Sequence, residues 1–200
     1  TDCYYLTMQR TWSFRFIAFI AVLLIAAIGL GWIAVRGKNV PWGVPLASLE
    51  PGELCLVTPG KDTRSQLVAD IDQARKSVLV ECYLISDPAV VASLKDAKTR
   101  GCDVHVIMEE SPYGGFSMNR MVRNELRSAG IDAIWGNRVY SFTHAKFIVI
   151  DACMAWIMTA NLTKSAFEKN REILVRTGNT AVVGELTRIF QADKQRSPYR

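Results

Sequence analysis

SVLVECYLISDPAVVASLKDAKTRGCDVHVIMEE, residues 77–110, reads as strand, helix, strand. Ser77 to Ile85 is a β-branched, apolar run of the kind that fills a buried strand. Asp87-Pro88 supplies a helix cap and a first-turn proline. The helix runs to Arg100, Gly101 stops it, and Cys102 to Met108 forms the next strand. Alternation of strand and helix of this kind predicts an α/β fold.

The same alternation extends both ways. Leu54 to Val57 is a short strand closed by Pro59-Gly60, and Leu67, Val68, Ile71 and Ala74 give helical spacing over 65–76. Ser117 to Ala129 is helical and ended by Gly130, followed by a strand over Ile131 to Trp135. Strands then cluster: Ala145 to Ile150, Met154 to Thr159 and Glu172 to Thr177. A final helix over 181–192 buries Val182, Val183, Leu186, Ile189 and Phe190. The expected architecture is one mixed sheet sandwiched by helices over residues 53–200.

Residues 1–52 are of another character. Phe16 to Val35 is twenty residues without a charge, flanked by Arg15 and Arg36, with Trp12 and Trp32 near its ends. A helix of that length spans about 30 Å, the thickness of bilayer hydrocarbon, and indoles favour the interface. The stretch has no polar stripe, unlike a core helix, and no clear small-residue cleavage site. The expectation is a flank over 1–15, an uncleaved transmembrane helix over 16–35, and a linker over 36–52 carrying Pro41, Pro45 and Pro51. Basic residues are balanced across the span, Arg10 and Arg15 before, Arg36 and Lys38 after. A single-pass signal anchor with the large domain on the extracytoplasmic side is the preferred orientation.

Composition limits the partners. The net charge is +5, and the excess outside residues 1–36 is too small either to demand or to exclude a phosphate-rich partner. Half of the 200 residues are apolar and mean hydropathy is +0.11, which rules out a disordered chain. Five scattered cysteines without a C-x-x-C pair, and two histidines, do not make a structural zinc site.

The chemistry concentrates in HAKFIVID, residues 144–151. On a strand, His144 and Lys146 share one face while Phe147 and Val149 take the other. An imidazole beside an ammonium is unfavourable in a plain core and makes sense where an anion is held next to a nucleophile. Asp151 closes the strand. MTANLT, residues 158–163, adds the Thr159 hydroxyl and the Asn161 carboxamide, and Asn170-Arg171-Glu172 adds a carboxylate.

With this spacing the chain resembles the phospholipase D superfamily, whose motif is H-x-K-x4-D-x6-G-S-x-N followed by N-x-E. The resemblance covers roughly Glu53 to Arg200, with Met158 at the motif glycine and Thr159 at the motif serine. It implies a phospholipase D-like α/β/α sandwich and a phosphodiesterase. His144 would attack phosphorus and form a phosphohistidine, as a neutral imidazole can. Lys146, Asn161 and Thr159 would hold the phosphate oxygens. Glu172 would bond the far ring nitrogen of His144, and Asp151 would order Lys146 or the strand end. No metal or other cofactor is implied, because lysine supplies the cation.

The superfamily uses two such motifs, the second histidine protonating the leaving alcohol. The other histidine here, His105, lies mid-strand without the H-x-K spacing and is expected to be structural. The second half-site is therefore expected from a homodimer or from a C-terminal half beyond Arg200. Arg120, Arg123 and Arg127 share one helix face, either solvated or a head-group patch, and the loop 111–116 is placed to overhang the site. Three functions compete: a membrane-anchored phosphodiesterase acting on phospholipid, a membrane-anchored metal-independent endonuclease, and an inactive binding or scaffold domain suggested by Met158 and the single motif.

Overall fold

The computed structural model describes residues 54–59, 61–113 and 116–197. The flank, the apolar stretch 16–35 and the linker lie outside the described residues. Among the described residues no helix is long and apolar enough to cross a membrane.

The elements in chain order are β1 (Leu54–Thr58), α1 (Lys61–Asp72), β2 (Ser77–Cys82), α2 (Pro88–Thr99), β3 (Asp103–Met108), α3 (Phe116–Ser128), β4 (Asp132–Trp135), β5 (Lys146–Ile150), β6 (Met154–Met158), α4 (Lys164–Glu168), β7 (Glu172–Thr177) and α5 (Thr180–Arg196). The expected βαβ unit is β2–α2–β3. Asp87 caps α2 by accepting from the backbone N–H groups of Ala89 and Val90. Gly101 and Gly130 follow α2 and α3 with φ of +93° and +77°, the left-handed conformation that ends a helix.

Seven strands form one mixed sheet in the order β1-β7-β6-β5-β2-β3-β4. β2, β3 and β4 are parallel and every other pairing is antiparallel. One face carries the larger core: Leu67 and Ile71 of α1, Val90 and Leu94 of α2, Leu126 of α3 and Phe167 of α4 pack on Val80, Val106, Ile148 and Trp156. The other face is covered by α5, where Val183 and Phe190 meet Leu79, Ile107 and Phe147. The α/β/α sandwich around a mixed sheet is thus observed.

The alternating directions bring seven strand termini to one edge of the sheet. The C-terminal ends of β1, β2, β3, β4 and β6 lie there with the N-terminal ends of β5 and β7. His144, Thr159 and Glu172 belong to that edge. Asp151 belongs to the other. It opens the turn between β5 and β6, where Asp151 and Ala152 have φ of 54° and 53° and Cys153 N–H bonds Ile150 O at 3.0 Å. Aspartate tolerates this conformation better than most side chains.

Candidate active site

His144 is exposed in the connection just before β5, and Lys146 is the first residue of that strand and buried. The Lys146 ammonium donates to the His144 carbonyl at 2.7 Å and lies 3.2 Å from its imidazole Nδ1. Holding a cation there costs solvation. Burial pushes the Lys146 pKa below the usual lysine value, opposed by the negative charge of Glu172. Cys82 pairs with Lys146 across the β2–β5 ladder. Burial raises its thiol to about 11, so it stays protonated and is no rival nucleophile.

Thr159 and Glu172 form the neighbouring pair. Thr159 Oγ1 donates to Glu172 Oε2 at 2.6 Å and accepts from Ile173 N–H at 3.0 Å. Asn170 Nδ2 donates to the other Glu172 oxygen at 3.3 Å. Within this chain the Glu172 carboxylate is thus bonded to Thr159 and Asn170 in place of the expected ring of His144. Asn161 sits on a segment fastened to the loop after β2: Leu162 N–H bonds Leu84 O at 3.0 Å, and Ser86 and Asp87 donate to Leu162 O. Its Oδ1 is buried without a hydrogen-bond partner. Met158, at the motif glycine, faces inward within the larger core, so the substitution is accommodated by packing.

Asp151 has a different task from the catalytic one. Its carboxylate accepts from the backbone N–H groups of Arg75, Lys76 and Ser77 at 2.7–3.2 Å. Burial works to raise its pKa, but these three donors hold it below the usual aspartate value. It lies five positions along the strand from Lys146, about 17 Å. Of the two roles expected for it, the strand end is the one the geometry contains. Its charge is too distant to order Lys146.

Several residues that shape the site carry no signal in the sequence. Tyr83, just past β2, packs its ring on His144 with centroids 4.7 Å apart and lies 5.6 Å from the Lys146 ammonium. Asn119 of α3 is fully buried and donates to the carbonyls of Tyr83 and Glu109 while accepting from Ile85 N–H. Glu109 accepts from Thr143 N–H at 2.7 Å, which pins the residue before His144. Thr143 packs so closely on Gly136 that any Cβ there would collide with it. Tyr83, Glu109, Asn119 and Thr143 come from four separate parts of the chain, so only the fold brings them together.

The remaining candidates are engaged in contacts within the fold. His105 lies between Asp103 (2.8 Å) and Asp132 (3.0 Å), with Lys194 of α5 2.8 Å from Nδ1. Arg123 stacks over Trp135 at 4.7 Å, and Arg127 donates to Ala133 O, so two arginines of the α3 face are tied to β4 rather than forming a free patch. Among the described residues no three His, Cys, Asp or Glu side chains group as metal ligands.

Residues 67–194 match the family model described as "Cardiolipin synthase, PLD-like domain". The chain is 29% identical to cardiolipin synthase 2 of Bacillus cereus over 158 residues, which is 73% of this chain and 30% of that protein. It is 30% identical to a phospholipase D of Rickettsia bellii over 123 residues, 60% of this chain and 58% of that one. The chain thus spans about 30% of the length of the cardiolipin synthases it matches. Its fold is similar to that of Nuc, a phospholipase D family member from Salmonella typhimurium, with a TM-score of 0.69, 24% identity, and coverage of 76% of this chain and 99% of that one. NucT from Helicobacter pylori gives 0.65 and 21%, covering 72% and 96%. With an H-x-K pair at a sheet edge, the expected sandwich and a family model matching well over half its length, the chain belongs to the cardiolipin synthase PLD-like domain family of the phospholipase D superfamily.

Proposed function

We propose that this chain is a phosphodiesterase that cleaves phospholipid through a phosphohistidine on His144, by hydrolysis or phosphatidyl transfer. The observation that carries the reading is an exposed imidazole 3.2 Å from a buried, strand-fixed ammonium. A phosphodiester seated over that pair meets the cation with its non-bridging oxygens as negative charge builds on them. Thr159 is the neighbouring hydroxyl, and Asn161 completes the cradle. His144 attacks phosphorus, the alcohol leaves with a proton, and a water or second alcohol then attacks the phosphohistidine and releases the ring. The lysine cation makes a divalent metal unnecessary.

The departing alcohol needs an acid that one His144 cannot be while it attacks. A second copy of the chain supplies one by symmetry. Ile157 and Ile173 support this assembly: they lie exposed on β6 and β7 beside Thr159 and Glu172, on the face α5 only partly covers. A second motif beyond Arg200 would serve the same end. Residues 16–35 act in this reading as a single-pass anchor that holds the domain on the extracytoplasmic face.

The second reading is a metal-independent endonuclease. What favours it is size: the single-motif domain accounts for nearly all of the Nuc chain but under a third of the cardiolipin synthases. The full chain, offered labelled phosphatidylglycerol vesicles and single-stranded DNA in excess chelator, separates the readings. Head-group release supports the lipid reading and strand cutting supports the nuclease. Neither product supports a binding domain, and activity that needs an added divalent ion contradicts the metal-free mechanism.

A further inference from the structure

Among the large apolar side chains exposed on the described surface, Met121 lies on α3 and Ile157 and Ile173 on β6 and β7, and the others gather on one rim. Tyr113 (95% exposed), Val139 (74%), Tyr140 and Phe142 occupy two loops on the site edge, β3–α3 and β4–β5, and Met118 follows at the start of α3. The two loops are one unit. Glu109 accepts from both Ser111 N–H and Thr143 N–H, and Arg138 pairs with Glu110 at 3.0 Å. Tyr83 locks them to the site: its hydroxyl accepts from Tyr113 N–H at 2.6 Å, Phe142 packs edge-on at 6.1 Å and His144 stacks at 4.7 Å. The Tyr113 backbone and the Phe142 ring therefore both meet the tyrosine on which His144 stacks.

We infer that these loop tips form a rim that inserts into the interfacial layer of a lipid bilayer and seats His144 at the head groups. The inference rests on the lipid-cleaving reading above and adds to it the surface that meets the membrane. The residue types fit that occupant. Tyrosines and a phenylalanine beside arginine, on convex loops, suit a head-group boundary, whereas the isoleucines of β6 and β7 lie flat on a sheet as protein contacts do. The chain outside the described residues has the necessary reach. Eighteen residues separate Val35 from Leu54, about 60 Å fully extended. Leu54 starts β1 at the edge away from the site, so the linker has only to pass the length of one strand, about 17 Å, to let the site edge face the bilayer.

The test uses the full chain in nanodiscs of phosphatidylcholine and phosphatidylglycerol, compared with a Tyr113→Ser/Val139→Ser variant. Backbone amide exchange over 111–113 and 138–142 is expected to be slowed about tenfold or more in the wild type on lipid and to be fast in the variant. Vesicle phospholipid turnover should fall about as much, while turnover of a water-soluble phosphodiester stays within about twofold. Equal exchange in both proteins overturns the rim, and if both still cleave phospholipid the lipid-cleaving reading survives alone. Slowed exchange with no phospholipid cleavage by either protein keeps the rim and removes the substrate assignment. Slowed exchange that persists without lipid and tracks a dimer in sedimentation assigns the rim to a second copy and overturns the inference.

Discussion

Lys146 is bound to the main chain of the residue whose side chain it serves: its ammonium donates to His144 O at 2.7 Å and reaches the same residue's imidazole at 3.2 Å. The contact fixes the cation before any substrate arrives. Pre-organisation of this kind acts on the transition state, where charge on the phosphate oxygens is greatest.

Lys146→Ala should therefore lower kcat about 10²–10³-fold with a much smaller change in KM. Steady-state kinetics on a soluble phosphodiester measures both. A variant with wild-type kcat would remove the lysine from the chemistry.

Asp151→Ala should behave in the opposite way. Its carboxylate satisfies three backbone N–H groups between α1 and β2, so the loss is one of stability, about 1–3 kcal/mol. Because its pKa is held low in the folded state, its contribution is present above the ordinary aspartate value and disappears as pH falls through the folded one. Denaturant melts at pH 7 and pH 3 should show the variant weaker at pH 7 and the difference shrinking in acid. Turnover below the melting range should stay near wild type.

Glu81 carries the converse signature. It is almost fully buried on the α5 face, and burial, with the nearby Asp193 charge adding to it, raises its pKa to about 8. The folded state then holds a proton that the unfolded chain releases near pH 4.5. The stability this contributes is complete below about pH 4.5 and is lost as pH rises through 8. Glu81→Gln should flatten that slope and leave the variant more stable than wild type at pH 9 by a few kcal/mol. Parallel melting curves across pH 5–9 would refute the assignment.

The βαβ unit and the H-x-K pair were legible because both are local. Periodicity, Asp87-Pro88 and Gly101 mark the first, and the two-residue repeat of a strand aligns the second. Other features needed the fold. The strand from Ser77 was expected to reach Ile85, but β2 ends at Cys82, because Leu84 and Ile85 turn to hold Leu162 and meet Asn119. The first helix lies four residues earlier than its spacing suggested, at Lys61–Asp72. α4 is too short for periodicity to reveal and is set by the Thr163 cap, whose hydroxyl accepts from Ala166 N–H. Tyr83 and Glu109 come from two connections and Asn119 from α3, and only the folded sheet edge unites them. The carboxylate of Glu172 was assigned to His144 from motif order alone, and motif order cannot tell whether a carboxylate is engaged by Thr159 instead.

Assembly gives a prediction of its own. If two copies complete one site, activity per chain should fall as the full chain is diluted in lipid at constant substrate, in step with loss of dimer seen by cross-linking. Constant specific activity from a monomeric population would rule out the shared site.

His144→Ala puts the central claim at greatest risk. Its initial rate should be measured on both phosphatidylglycerol vesicles and single-stranded DNA, with the melting temperature as a control for folding. The side chain is exposed, so the variant should fold and melt like wild type, and its rate on whichever substrate the wild type cleaves should drop to background. A folded His144→Ala protein that still turns over that substrate at a wild-type rate would contradict the nucleophile and the mechanism built on it.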